Sequence, residues 1–381
     1  MNSRDRVIES LNFREPDRVP FDLGGTSLST MHIISYLNLR KRLGYSNENV
    51  EVCFIPEQLV LIDEDIAEKL ETDVRLVVPG KPENFEIIFR DEGLYEGLTD
   101  EWGIGWRKPK DGGLYYDMYI HPLSDAISLD EFNKFPFPDP LDESRYKKMR
   151  EQAMRAKEKD KAIVLAGPYA GITETYAFLR GYEQFYLDLA WNEEFLALLL
   201  ERIVEYKSQY WTRALEEVGD LVDIIVEADD LATQDSLMMS PKTYKKIIKP
   251  FHTKLFNHIK NQASVKIFFH CCGAVRPIIG DLIEAGIDIL NPVQTSSKGM
   301  NPYELKQEFG KDLVFWGGGV DTQRILNLGN VSDVKNNVKM NIEALAPGGG
   351  FVFAAVHDIQ ADVPPENVIA MWEACREYGV Y

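Results

Sequence analysis

Two residues in the last third of the chain have the types and spacing to bind a metal ion. His270 and Cys272 end the apolar run SVKIFFHCCGAV, which is stopped by Gly273 and is typical of a buried strand. Side chains alternate between the faces of a strand, so His270 and Cys272 point one way and Cys271 points the other. An imidazole and a thiol on one face are half of a zinc site. We expect Cys271 to pack behind that face as a small apolar side chain.

Strand-like runs alternate with helical segments along most of the chain. We predict eight strands, near residues 19, 74, 162, 223, 265, 288, 313 and 351, and one long helical region at Thr173–Val218. This α/β alternation is typical of a parallel sheet covered by helices, and eight such units predict a (β/α)₈ barrel of the TIM type. Glycine-punctuated aromatic runs at 79–122 instead predict β-hairpins. We therefore expect one barrel domain over residues 1–381 with an insertion at about 79–140.

A barrel of this kind would bring a third candidate ligand to the first two. Functional residues of such barrels lie at the carboxyl ends of the strands, and His357 follows the eighth predicted strand. His270, Cys272 and His357 would supply two nitrogens and one sulfur, and a catalytic zinc site uses three protein ligands and one open position. H-x-C alone is a weak motif, and a single histidine is more often a buried structural residue or a general acid. His357 is therefore predicted both as a metal ligand and as a catalytic residue.

Other predicted strand ends carry polar or flexible residues. We predict that Asp229, Asp230 and Gln294 orient a substrate or donate protons, although the two aspartates could instead cap the following loop. Gly317–Gly319 match neither the phosphate loop nor the dinucleotide-binding pattern. Their lack of side chains could let a flat cofactor approach the backbone, and tight turns are the simpler explanation.

Composition and charge narrow the class of protein. The net charge is −19 and no basic block is present, which argues against binding nucleic acid through its phosphates. No apolar run approaches the length of a membrane span, and the first residues lack the apolar core of a secretory signal. Two of the four cysteines are adjacent, which is a poor disulfide framework. We expect a reduced, cytoplasmic protein that binds neither membranes nor nucleic acid.

Several segments together resemble a known family. They are RVPFDLGG, SPKTYKKIIKPFH, FFHCCGAV, NPVQ, FWGGGVDTQ and HDIQADVPPENVIAMWEACREYG. On these motifs the chain resembles the uroporphyrinogen decarboxylase superfamily along nearly its whole length, and the resemblance implies a single (β/α)₈ barrel. One branch of that superfamily decarboxylates uroporphyrinogen without a cofactor. The other uses zinc to transfer methyl groups to or from corrinoid (cobalamin) proteins.

The zinc-dependent branch carries H-x-C-G, which is matched here by His270, Cys272 and Gly273. Its third ligand is a cysteine seven residues before a P-x-E-N segment, and that position is His357 in this chain. The decarboxylases also have a histidine there, in a G-H-G motif. The resemblance thus implies zinc held by one cysteine and two histidines, a corrinoid protein as partner, and a small-molecule methyl donor or acceptor.

The alternative is a uroporphyrinogen decarboxylase acting in porphyrin synthesis. That branch needs an arginine pair just after the first strand, where this chain reads GGTSLST. Arg14 and Arg18 precede the strand and should lie at the opposite end of the barrel. The substrate of that branch carries many carboxylates, so this departure and the acidic net charge favour methyl transfer. A non-catalytic scaffold that holds a corrinoid protein is a third possibility.

Overall fold

The computed structural model describes residues 1–125 and 129–381. The strands, in chain order, are β1 (Val52–Phe54), β2 (Leu59–Val60), β3 (Val74–Val77), β4 (Arg90–Glu92), β5 (Tyr95–Thr99), β6 (Gly105–Pro109), β7 (Asp117–Ile120), β8 (Ala162–Leu165), β9 (Ile224–Ala228), β10 (Lys266–His270), β11 (Ile289–Asn291), β12 (Val314–Trp316) and β13 (Phe351–Val352). Seven of them form one parallel sheet in the order β13-β12-β11-β10-β9-β8-β3. Each strand of this sheet is followed by helical structure, as a barrel of βα units requires.

The helices lie between these strands and cover the sheet. In chain order they are α1 (Ser3–Leu11), α2 (Ile33–Leu43), α3 (Glu64–Lys69), α4 (Leu129–Lys134), α5 (Met149–Glu158), α6 (Ile172–Arg180), α7 (Tyr182–Trp191), α8 (Glu193–Val218), α9 (Pro241–Thr243), α10 (Lys249–Gln262), α11 (Ile279–Ala285), α12 (Pro302–Phe309), α13 (Val331–Leu345) and α14 (Pro365–Tyr378). A π-helical stretch, Tyr244–Ile248, joins α9 to α10. Within the described residues, no helix has both the length and the apolar character needed to cross a lipid bilayer.

The predicted first strand closes the ring between β13 and β3. Phe21 forms a parallel bridge with Phe353, and the Asp22 N–H donates to the Phe353 carbonyl at 2.8 Å. On the other side, the Asp73 N–H donates to the Phe21 carbonyl at 2.9 Å. The eighth strand position of the barrel is therefore filled by a single bridging residue, Phe21, instead of a full strand. The predicted α/β barrel architecture is confirmed.

The side chains of β10 alternate between the inside of the barrel and the side covered by helices, as the sequence predicted. Phe268 belongs to the inner cluster of the barrel, together with Trp316 and Val226. Phe269 and Cys271 belong to the outer cluster, between the sheet and the helices. Because inward positions recur every second residue, the next inward side chains after Phe268 are those of His270 and Cys272, at the mouth. Cys271 is fully buried on the opposite face, as expected.

The hairpin-rich insertion is an antiparallel sheet in the order β4-β5-β6-β7. The turn between β6 and β7 reaches over the barrel mouth, where His32 Nε2 lies 3.2 Å from the Leu114 carbonyl. Tyr115 of the same turn hydrogen-bonds to Gln360 beside the last strand. Residues 126–128 of the predicted insertion lie outside the described part of the chain. The insertion thus forms one wall of the mouth.

The long helical region predicted at Thr173–Val218 is divided into three helices. Gly181, between α6 and α7, has φ +81°, a left-handed conformation that an α-helix does not continue through. Asn192 then begins α8, and its side chain accepts from the Phe195 N–H. Glycine and asparagine are helix-boundary residues, so the sequence did contain a signal for both breaks.

Candidate metal centre

The three predicted ligands converge at the mouth of the barrel. One donor atom from each of His270, Cys272 and His357 lies within 4.8 Å of the other two. His270 ends β10, and its Nε2 is 3.3 Å from the Cys272 Sγ. His357 follows β13, and its ring centroid is 5.6 Å from that of His270, with the ring planes 70° apart. That these residues bind zinc stays a prediction, and their proximity supports it.

The arrangement fits the donor set and the size of a zinc site. Ligand atoms of a tetrahedral zinc with two nitrogens and one sulfur lie roughly 3.3–3.6 Å apart, given metal–ligand distances of about 2.0–2.3 Å. The limit of 4.8 Å among the three donors is wider than this spacing by about 1.2–1.5 Å, a difference that side-chain rotations can close. One thiol and two imidazoles leave a fourth position for water or substrate.

Burial sets the protonation of the two candidate ligands at the end of β10. It lowers the pKa of His270, so the ring is neutral and keeps a lone pair for a metal. Burial, followed by the negative charge of Asp230, raises the pKa of Cys272 well above its ordinary value. Cys272 is therefore a thiol unless a cation is bound, because a coordinated metal deprotonates a thiol outright.

A buried asparagine that the sequence reasoning missed holds the His270 ring. Asn291 Oδ1 lies 2.5 Å from His270 Nδ1, and Asn291 Nδ2 donates to the Trp316 carbonyl at 2.9 Å. Asn291 ends β11 and is the register partner of His270. A polar residue at the end of an apolar strand was the available signal, and only the strand order reveals its neighbour.

Two of the predicted catalytic residues lie at the centre. Asp230 Oδ1 accepts from the Cys272 N–H at 2.7 Å and lies 4.0 Å from His270 Nε2. Gln294 Oε1 accepts from the Gly273 N–H at 2.6 Å, so its NH₂ group is the part that can meet a bound molecule. Both side chains thus hold the loop after β10. Their catalytic roles stay predictions.

Asp229 lies beneath the centre and is fully buried. Its carboxylate accepts from the Thr173 N–H and hydroxyl and from the Glu174 N–H, at 2.6–3.0 Å, and lies 2.9 Å from His252 Nε2. These contacts cap α6 and occupy the carboxylate. The geometry therefore favours a structural role for Asp229 and leaves Asp230 as the aspartate that can meet a substrate.

The predicted cofactor-binding glycines, Gly317–Gly319, are buried against the protein itself. A Cβ at Gly318 would lie 2.7 Å from the Val293 Cβ, and one at Gly319 would lie 2.4 Å from the Phe353 ring. Gly317 and Gly318 also have positive φ angles, +83° and +87°. This packing favours the alternative explanation, a tight turn between neighbouring strands, over approach by a flat cofactor.

Carboxyl groups that the sequence reasoning did not select surround the ligands. Asp358 is fully buried, and its Oδ2 lies 3.9 Å from His357 Nδ1 with no hydrogen-bond partner among the described residues. Burial, followed by the charge of Asp22, raises the pKa of Asp358 to about 7. Desolvation, followed by the charge of Asp358, also raises the pKa of Glu57 to about 7. Adjacency to His357 could have revealed Asp358, whereas nothing in the sequence marks Glu57.

A cavity of about 640 Å³ opens beside the ligands. Its walls come from the β6–β7 turn, from the metal centre and from the loops after β11, β12 and β13: Leu114, Tyr115, Cys272, Gln294, Thr322, Gln323, Asn327, Val356, His357, Asp358, Gln360, Ala361 and Asp362. No lysine or arginine is among these described lining residues. The cavity has the size of a small-molecule site, and two candidate ligands form part of its wall.

Comparisons with known proteins agree with this fold. Residues 120–378 match the uroporphyrinogen decarboxylase (URO-D) family. A methyltransferase from Methanosarcina mazei aligns over 99% of both chains with a TM-score of 0.65 and 19% identity, which establishes a shared fold. An endo-1,4-beta-xylanase from Penicillium canescens aligns over 61% of this chain and 80% of its own, with a TM-score of 0.36 and 10% identity, which is too distant to support an argument.

A search of curated proteins gave no significant match. The family match covers more than half of the chain and includes β8 to β13, His270, Cys272 and His357. The closed parallel barrel and the full-length structural alignment are consistent with it. This chain belongs to the uroporphyrinogen decarboxylase family.

Proposed function

We propose that the chain is a zinc-dependent methyltransferase that moves a methyl group between a small methylated substrate and a corrinoid protein. The observation that carries the proposal is the convergence of His270, Cys272 and His357 beside a cavity of about 640 Å³. The full-length fold similarity to a methyltransferase from Methanosarcina mazei is consistent with it.

The residues at the barrel mouth have different roles in the proposed reaction. His270, Cys272 and His357 would hold zinc, which supplies a Lewis acid at the oxygen or nitrogen that bears the methyl group. One thiolate and two neutral imidazoles leave a net charge of +1 on the site, more positive than with two thiolates. Asp230 and Gln294 hold the Cys272–Gly273 backbone and orient the bound substrate. A corrinoid partner would supply the nucleophilic Co(I) that takes up the methyl group, and the donor oxygen or nitrogen would keep the bonding electron pair and leave as an anion stabilised by the zinc.

The distribution of arginines argues against the decarboxylase alternative. Arg18 pairs with Asp73 at 2.7 Å, just before β3 and so at the amino ends of the strands, and Arg14 pairs with Glu9 on α1. The cavity at the other end has no lysine or arginine among its described lining residues and carries Asp358 and Asp362. A substrate with many carboxylates would meet repulsion there.

Metal content tests the ligand set. The purified protein should bind one equivalent of zinc, and Cys272→Ala and His357→Ala should each lose most of it. Cys271→Ala is the matched control, because Cys271 is an adjacent buried thiol on the opposite face of the strand. Unchanged zinc content in both ligand variants, or equal loss in the control, would refute the site.

Two activity assays separate the function classes. The first assay offers methoxyaromatics, methylamines, betaines and methanol as methyl donors to reduced cobalamin and monitors its methylation by the visible spectrum. At least one donor should give turnover, and that turnover should require Cys272. Turnover of uroporphyrinogen by metal-free protein would instead establish the decarboxylase. Capture of a corrinoid protein without methyl transfer in either direction would support a scaffold.

A further inference from the structure

We propose that Asn291 is a positioning residue that fixes the tautomer and ring orientation of His270, so that Nε2 faces the metal position. The expected effect of Asn291 on zinc binding rests on the proposed function, whereas its effect on the His270 tautomer rests only on the hydrogen bonds described below. Asn291 and His270 are register partners at the ends of β11 and β10, and their exposed fractions are 1% and 5%. Water therefore does not compete for their contact.

The orientation of the Asn291 amide is determined by its second partner. Asn291 Nδ2 lies 2.9 Å from the Trp316 carbonyl oxygen, which can only accept a hydrogen bond. A flipped amide would place two acceptor oxygens against each other. Asn291 must therefore direct Oδ1 at His270, where it lies 2.5 Å from Nδ1.

An amide oxygen accepts, so His270 Nδ1 must carry the proton and donate it. In a neutral imidazole the other nitrogen then has the lone pair, and which nitrogen is metallated is set by the hydrogen bond of the other. His270 Nε2 is the atom 3.3 Å from the Cys272 Sγ. The Trp316 carbonyl thus fixes the amide, the amide fixes the ring, and the ring presents Nε2 beside the thiol.

Gly317 makes room for this arrangement. A Cβ at Gly317 would lie 3.0 Å from Asn291 Nδ2 and 3.1 Å from the Ala355 carbonyl. The missing side chain lets the Asn291 amide reach the backbone of the neighbouring strand. This gives one of the predicted glycines a role in the site through Asn291 instead of through a cofactor.

The first test reads the tautomer directly in metal-free protein. Nitrogen NMR of protein labelled at histidine, with His270 identified by its loss in His270→Gln, should show Nδ1 protonated and Nε2 unprotonated. Asn291→Leu, which removes the acceptor at Oδ1, should lose this tautomer. Protonation of His270 at Nε2 in the unsubstituted protein would overturn the inference.

The second test reads zinc affinity by competition with a chromophoric chelator. Substitutions of groups that orient metal ligands typically cost 10–100-fold in affinity, and we expect Asn291→Leu to weaken zinc binding by about that factor. Asn341→Leu is the matched control: Asn341 is also 1% exposed and its Nδ2 donates to the Gly319 carbonyl at 3.3 Å, away from the ligands. It should leave zinc affinity within about threefold.

The outcomes distinguish this inference from the proposed function. Failure of the unsubstituted protein to bind zinc would refute the metal site, while the NMR measurement would still decide whether Asn291 sets the tautomer. Tight zinc binding that Asn291→Leu leaves unchanged would refute the positioning role alone. Equal losses in Asn291→Leu and Asn341→Leu would show that general packing, and not the His270 contact, is responsible. Substituting Co²⁺ for zinc adds a visible spectrum, which should change in Asn291→Leu and stay constant in Asn341→Leu.

Discussion

Replacement of Gly317 by alanine is expected to lower both the free energy of unfolding and the zinc affinity. The contributions of backbone strain and of steric overlap with Asn291 can be separated. Gly317 has φ +83°, and forcing a residue with a Cβ into this left-handed region costs about 1–2 kcal/mol. The new Cβ would also lie 3.0 Å from Asn291 Nδ2 and 3.1 Å from the Ala355 carbonyl, closer than ordinary contact. We expect the second effect to push Asn291 from the Trp316 carbonyl, and so to weaken its hold on His270.

Gly348→Ala provides the matched control, because Gly348 has φ +79° and a Cβ there would meet nothing within 4 Å. Urea denaturation should show a loss of about 1–2 kcal/mol for Gly348→Ala from backbone strain alone. Gly317→Ala should lose at least about 1 kcal/mol more, since overpacking typically costs 1–3 kcal/mol, and its zinc affinity should fall about tenfold. Identical stability and identical zinc affinity of the two variants would refute the argument that Gly317 accommodates Asn291.

Two further predictions concern buried ion pairs away from the candidate metal centre. Lys207 and Glu227 are each 1% exposed and lie 2.8 Å apart, so Lys207→Met should lower the free energy of unfolding by about 3–5 kcal/mol. Lys207→Met/Glu227→Leu should recover only part of this loss, because Glu227 also accepts from the buried Trp211 Nε1–H, and leaving that donor unpaired costs about 1–3 kcal/mol. A double variant no more stable in urea than the single one would contradict this. Burial raises the pKa of Asp73, but its hydrogen bonds and ion pairs with Arg18 and Arg6 outweigh that effect and hold it below the ordinary value. This stability is therefore present above about pH 4, the pKa of an unfolded aspartate, and is lost as the pH falls through the lower native pKa. Asp73→Asn should flatten the acid limb of a plot of unfolding midpoint against pH, and an unchanged limb would show that other carboxylates control it.

Local patterns were sufficient for the architecture. Short apolar runs ended by glycine or a polar residue predict strands, and their alternation with helices predicts the barrel, because each element must bury one face against the next. The period of two along β10 also places His270 and Cys272 on one face. The first predicted strand is reduced to a single bridging residue, Phe21, which backbone hydrogen bonds join to the strands on both sides.

Positions within the site depended on contacts between distant segments. The sequence predicted catalytic or cofactor-binding roles for Asp229 and Gly317–Gly319; these stay predictions, and the structure shows the other contacts that these residues make. The Asp229 carboxylate is occupied by the start of α6, and the glycines accommodate neighbouring strands. Asn291 was not selected, because an asparagine at a strand end has no function visible in the sequence until its neighbour is known.

The sequence by itself determined the fold class, the family and the pair of candidate ligands at the end of one strand, because these follow from periodicity and local motifs. Only the tertiary structure decided that His357 reaches that pair and that Asn291 lies against His270. The physical reason is that ring closure brings together the ends of strands far apart in sequence, and hydrogen-bond direction depends on atoms from three of them. The sequence specifies the hydrogen-bond donors and acceptors, and the barrel fold determines which of them come into contact.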